Sequence, residues 1–184
     1  MLQSVELAIL DWIQRNIRCD VLDAVMPVFT QFNDNGEIWI AIAVILFLLK
    51  RHRKAGLAVG AGLAINLAIC NWTLKPLIGR IRPFMVNTAV QLLVEPPSSA
   101  SFPSGHTASS FAVVGALWAM KHPLWKPAAV VAALMAFSRL YLYVHWPTDI
   151  LGGIVVGWLC GMLGANIVQK VSKAQRNKKR RKSK

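Results

Sequence analysis

Ser138-Arg139-Leu140-Tyr141-Leu142-Tyr143-Val144-His145-Trp146-Pro147-Thr148-Asp149 joins two apolar runs, about 127–142 and 150–168, and sets a cation, an imidazole and a carboxylate at their junction. The carboxylate stands out, because downstream of Glu37 the chain carries only two acidic residues, Glu95 and Asp149. His145 and Asp149 are spaced i, i+4, but Pro147 lies between them. Proline is well tolerated in the first turn of a helix, so the spacing predicts a helix starting near Trp146 with His145 just before it. A carboxylate within reach of one imidazole nitrogen fixes the tautomer and leaves the other lone pair free to attack. The same residues also read as an interfacial histidine beside a carboxylate that satisfies it.

The rest of the chain sets the environment of this junction. Of 184 residues 55% are hydrophobic, seven are tryptophan, and the mean hydropathy is +0.45, which makes this a membrane protein. Further apolar runs lie at about 37–49, 56–74 and 107–120. Several runs fall short of the ~20 residues that cross a bilayer, so their ends are expected to extend into polar flanks. The expected fold is all-α, a polytopic membrane bundle of five to six transmembrane helices with an amphipathic N-terminal helix. In that helix, about 2–17, Val5, Ala8, Ile9, Trp12 and Ile13 share one face and Glu6, Asp11, Gln14 and Arg15 fall elsewhere. Such a pattern predicts a helix lying in the membrane interface. The stretch 21–32, broken by Pro27, reads as a second interfacial or partly inserted segment. The resulting divisions are residues 1–35 interfacial, 36–169 a single transmembrane core and 170–184 a basic tail.

A net charge of +13 would by itself suggest nucleic acid, but nine of the 21 basic residues lie between Lys170 and Lys184, with no acid among them. Such a tail is expected to hold to anionic lipid headgroups, and no nucleic-acid partner is expected. Short basic loops mark the cytoplasmic side, and with five spans Arg51–Lys54, Lys121–Lys126 and the tail all fall there. The segment 75–103 and the turn 144–147 then face outward. No basic start leads into an apolar core, so no cleaved signal peptide is expected. Cys19, Cys70 and Cys160 lack any paired spacing, and neither a disulfide nor a zinc site is indicated.

Two more charged clusters share the outward side. Pro103-Ser104-Gly105-His106-Thr107 precedes an apolar run and predicts a helix N-terminus, where free N–H groups and the helix dipole favour an anion and Gly105 lets it come close. Ser104 also reads as an ordinary N-cap and Gly105 as a turn residue. His106 beside such a site suits a general acid and base. Lys75, Arg80 and Arg82-Pro83 close the second span. Cations at a membrane edge commonly snorkel to lipid phosphates, yet these stand on the side where the positive-inside trend gives them no reason to be.

Lys75-x6-Arg82-Pro83, Pro103-Ser104-Gly105-His106 and Ser138-Arg139-x5-His145-x3-Asp149 together resemble, in order and spacing, the signature of the type 2 phosphatidic acid phosphatase (PAP2) superfamily. The motifs and their connecting helices cover about 75–161. The resemblance implies a six-helix core and metal-independent dephosphorylation through a phosphohistidine, with no cofactor. Carried onto matching positions, it implies His145 as nucleophile, Asp149 as its orienter and His106 as acid and base. Lys75, Arg82, Arg139, Ser104 and the Gly105 amide would hold the phosphate. His106, His145 and Asp149 could ligate a dication, but Lys75, Arg82 and Arg139 would repel it, so no metal is expected.

With this hydropathy the implied substrate is a phosphorylated lipid of a bacterial cell membrane, met at the extracytoplasmic face. Undecaprenyl pyrophosphate is favoured; phosphatidylglycerophosphate, phosphatidic acid and lipid A are the alternatives. A non-catalytic lipid-phosphate binder or transporter is the reading of another class. Gly153, Gly157 and Gly161, spaced as a small-xxx-small face, pack either within the chain or against a second copy.

Overall fold

The computed structural model describes residues 2–182 and is all-α. Helices α1 (Leu2–Asn16) and α2 (Asp20–Gln31) open the chain, followed by α3 (Glu37–Leu48) and α4 (Arg53–Asn66). A π-helical stretch (Leu67–Leu74) carries α4 on into the short α5 (Lys75–Ile78). After α6 (Pro83–Val86) an irregular segment leads to α7 (Gly105–Ala119), α8 (Trp125–Tyr141) and α9 (Pro147–Lys182). Ser183 and Lys184 of the expected tail lie outside the described residues, and the rest of the tail continues α9 as helix.

Two stretches, Arg53–Val86 and Pro147–Lys178, are long and apolar enough to cross a membrane. Helices α3, α7 and α8 stop at 12, 15 and 17 residues, and α7 and α8 reach only to Gly105 and Trp125, just ahead of their apolar runs. At the end of α7 the reason is local. Lys121 takes a left-handed φ of 53°, and His122 Nε2 meets His52 Nδ1 at 2.9 Å, tying the α7–α8 loop to the α3–α4 loop.

Helices α7 and α9 form the centre of the bundle. A side chain at Gly157 or Gly161 would overlap the carbonyls of Ala108 or Ala112, and one at Gly164 would strike the backbone of Gly62 in α4. The small-residue face therefore packs inside the chain. Lipid tails are as apolar as leucine, so this seam gains from close van der Waals approach rather than from transfer out of water. Trp39, Val59, Val113, Leu117, Ala132 and Ala165 fill the core around it. Val130, Leu151, Val155 and Leu159 point outward, more than half exposed, as a lipid-facing surface requires.

The N-terminal helix packs on the bundle by its polar side. Its predicted apolar face is turned outward, with Val5 and Trp12 each 54% exposed, while Glu6 from the polar side is only 2% exposed. Only Leu10 and Ile13 among its apolar residues are buried. Asp11 Oδ1 accepts from the Tyr143 hydroxyl at 2.7 Å, and Gln14 Nε2 donates to the Tyr141 carbonyl at 2.7 Å. The polar side goes in because its partners are there. The expected break at Pro27 is also absent: α2 runs through it, and Asp23 Oδ1 accepts from the Tyr141 hydroxyl at 2.5 Å.

Candidate active site

The three sequence clusters converge at one end of the bundle. The π-helical stretch resets the helix before Lys75, a distortion often found at functional sites. Gly79, at φ 59°, then ends α5 and turns the chain through Arg80 and Arg82 into α6. Ser104 caps α7, its Oγ accepting from Thr107 N, and is fully buried. Lys75 Nζ lies 3.6 Å from where a Gly105 side chain would begin, so glycine keeps that space open.

The junction read first in the sequence forms as predicted, with α9 starting at Pro147 and His145 in the turn before it. Tyr143 closes that turn in the left-handed region, at φ 59°. His145 is 2% exposed, and its Nδ1 lies 3.3 Å from Asp149 Oδ2 and 3.4 Å from Ser101 Oγ. Its Nε2 lies 3.3 Å from Arg82 Nη1. A guanidinium only donates, so Nε2 holds the lone pair and Nδ1 the proton. Burial, then the charges of Arg82, Arg139 and Lys75, hold the imidazole well below its ordinary range, in the neutral form a nucleophile needs.

Asp149 is fully buried, with Oδ2 accepting from Ser101 Oγ at 2.5 Å and Trp146 N at 2.9 Å, and Oδ1 accepting from Arg80 Nη1 at 2.6 Å. Arg80 Nη2 in turn reaches Glu6 Oε2 at 2.5 Å. Thr148 donates to Glu6 Oε1 through both its backbone N–H and its hydroxyl, so a carboxylate from α1 sits at the start of α9. This is where the dipole of α9 favours negative charge.

Lys75, Arg82, Arg139, Gly105, His106 and His145 line one cavity of about 1690 Å³. Arg82 is fixed by the carbonyls of Ser99 and Val144 at 2.8 and 2.7 Å. Arg139 donates from Nη1 to Thr30 Oγ1, and its buried Nε has no partner among the described residues. Ser104 and Asp149 do not line the cavity. They stand behind it, one starting the helix and the other holding His145. The cavity continues past Ile40, Ala43 and Phe47 of α3 and Gly56, Gly60 and Ala64 of α4 toward Ile167 and Val171 of α9, an apolar groove along the bundle.

Sequence reasoning missed Ser99, Ser101, Thr30, Asp34 and Glu6, and it left Arg80 without a role. One signal was present: six of the eight acids lie at or before Glu37, while the cations that need partners lie downstream.

Residues 55–173 match the model of the PAP2 superfamily. Undecaprenyl-diphosphatase BcrC of Bacillus subtilis is 33% identical over 147 residues, 78% of this chain and 73% of that protein. A putative undecaprenyl-diphosphatase of Escherichia coli, YbjG, is 36% identical over 133 residues, 69% of this chain and 64% of that protein. Among solved structures, a transmembrane PAP2-type phosphatidylglycerolphosphate phosphatase from Bacillus subtilis superposes with a TM-score of 0.74 at 30% identity, covering 92% of this chain and 87% of that one. The chain belongs to the PAP2 superfamily, in its bacterial membrane lipid phosphatase branch.

Proposed function

We propose that the chain hydrolyses undecaprenyl pyrophosphate, or a lipid phosphate of the same kind, through a phosphohistidine on His145. The observation that carries the reading is the His145 Nε2 lone pair, set beside Arg82 in a cavity that also holds Lys75, Arg139 and His106. A transferring phosphoryl group spreads charge over its equatorial oxygens, and catalysis is mostly positioning and electrostatic stabilisation. Nε2 attacks phosphorus as the bond to the leaving oxygen breaks, and His106 supplies that oxygen with a proton. Water then cleaves the P–N bond, giving its proton to His106. Lys75, Arg82, Arg139 and the Gly105 amide meet the equatorial oxygens, and Ser104 fixes the helix start that presents the amide. Three cations already supply the charge a metal ion would bring.

The groove beside α3 and α4 suits an apolar tail that stays in the membrane while its phosphate enters the cavity. Relatives named undecaprenyl-diphosphatase support the isoprenyl substrate. Phosphatidylglycerophosphate is the second reading, supported by the superposed structure. The basic loops support a site at the outer face and a tail on anionic lipid inside. Phosphate release measured in detergent with EDTA is expected on isoprenyl pyrophosphate first, then on phosphatidylglycerophosphate and phosphatidic acid. Turnover abolished by EDTA would overturn the metal-independent mechanism, and the opposite substrate order would overturn the isoprenyl assignment. In a background without Cys19, Cys70 and Cys160, a cysteine at Ser98 should react with an impermeant thiol reagent on intact cells, and one at Arg51 only after lysis. The reverse pattern would move the site to the inner leaflet.

A further inference from the structure

His106 stands in a difficult place for a general acid. Lys75, Arg82, Arg139 and His145 line the same cavity, and each positive charge among them disfavours a second proton on His106. The acid must nevertheless be protonated when the leaving oxygen departs. Two carboxylates line that cavity, Asp34 and Glu95, and Asp34 is the one that contacts the ring, Oδ1 lying 3.0 Å from His106 Nε2.

Asp34 does not reach His106 by chance of a loose loop. Its neighbour Asn33 is 2% exposed, and Asn33 Nδ2 donates to the His106 carbonyl at 3.0 Å and to Ser109 Oγ at 3.1 Å. Gly36 then turns the chain at φ 80°, and Glu37 caps Asn35 through its backbone N–H and side-chain amide. Consecutive residues thus grip the backbone and the ring of the same histidine. Burial raises the Asp34 carboxyl above the ordinary aspartate range, with Arg139 opposing and Glu37 adding to the shift.

We infer that Asp34 is a positioning residue for His106: its carboxylate stabilises the imidazolium that delivers a proton to the leaving oxygen. This rests on the phosphatase reading above. As the phosphorus–oxygen bond breaks and the bond to His145 Nε2 forms, His106 loses one proton and becomes neutral, while Asp34 stays ionised. The attacking water returns a proton to His106 and opens the phosphohistidine. His106 and His145 would then each have a carboxylate partner, Asp34 from outside the matched family region and Asp149 from within it.

Asp34→Asn keeps the size of the side chain and removes its charge. An alkyl phosphate such as phosphatidic acid needs its leaving oxygen protonated, whereas nitrophenyl phosphate does not. Asp34→Asn should lose about tenfold or more on the alkyl phosphate and little on nitrophenyl phosphate. The basic limb of the kcat/KM profile on the alkyl substrate should move to lower pH by about one unit, because loss of the carboxylate favours the neutral ring. Asp34→Glu should restore part of both, which a folding defect would not produce. Equal losses on the two substrates, or an unmoved basic limb, would overturn the inference while leaving the phosphatase reading intact. Wild-type protein that releases phosphate from neither of these substrates nor from isoprenyl pyrophosphate would overturn that reading itself.

Discussion

Residues 2–36 and the bundle from α4 to α9 obey opposite rules of inside and outside. In the bundle, small and apolar side chains pack against one another, and the charged residues of the site, Lys75, Arg82 and Arg139, line the cavity at one end. In the N-terminal pair of helices and the turn after them, carboxylates provide inward contacts: Glu6 to Arg80 and Thr148, Asp11 to Tyr143, Asp23 to Tyr141, Asp34 to His106. When the surrounding solvent is lipid, an apolar face has no reason to be buried, and the polar face is the one that needs protein. The N-terminal region is thus a brace for the site, built from acids that the core lacks.

The largest effect should come from the core. His145→Ala removes the nucleophile, with no substitute nearby, and turnover should fall by at least ~10³-fold with the fold retained. Appreciable phosphate release by that variant would refute the covalent route. Next comes the brace. Glu6→Ala leaves Arg80 with the Asp149 carboxylate and the Thr148 hydroxyl and strips Thr148 of its acceptor, and breaking such a pair costs about 3 kcal/mol. Thermal unfolding in detergent should show a lowered midpoint together with reduced turnover. A silent Glu6→Ala would make α1 a bystander and collapse the distinction between the two regions.

What could be read from sequence follows the same division. The motifs at Lys75, Ser104 and His145 are short, and each carries its chemistry within a few residues, so local spacing disclosed them along with the start of α9. The seam of Gly157 and Gly161 was visible as a pattern, but its partner in α7 was not, since nothing in the spacing says what a small face packs against. Glu6, Asp34 and Ser101 were invisible for a different reason: their partners lie 74, 72 and 48 residues away. The inward contacts of α1 were not legible, because amphipathicity fixes two faces without saying what the polar one will meet.

A third test concerns pH and sets buried His145 against its unfolded reference. Its folded-state value is depressed well below 6.5, burial being the first cause, so below that pH the unfolded chain takes up a proton that the folded chain refuses. Stability from this group is present above pH 6.5 and declines as pH falls toward the folded value, by at most ~1.4 kcal/mol per pH unit. His145→Asn should lack that slope. After correction for ionisation of the substrate phosphate, the acid limb of kcat/KM should also lie below pH 6.5. A limb above it would mean that His145 carries a proton at rest, against the geometry at Arg82.

The smallest effect should appear where brace and catalytic turn meet. Tyr143 sits at φ 59°, a conformation that a bulky residue adopts only when its surroundings impose it. Its hydroxyl donates to Asp11 Oδ1 at 2.7 Å and accepts from Asn87 Nδ2 at 3.1 Å, so α1 holds the turn from the side opposite the cavity. Tyr143→Phe should cost about 1 kcal/mol, because the ring stays packed and the hydroxyl contacts are lost. Asp11→Asn should cost a similar amount. If the two act through one contact, the double variant should lose little more than either alone, a coupling that a double-mutant cycle on both stability and kcat/KM will show. Strict additivity would mean that α1 and the His145 turn are merely adjacent, and that the left-handed Tyr143 is held by α8 and α9 without help from the N-terminal helix.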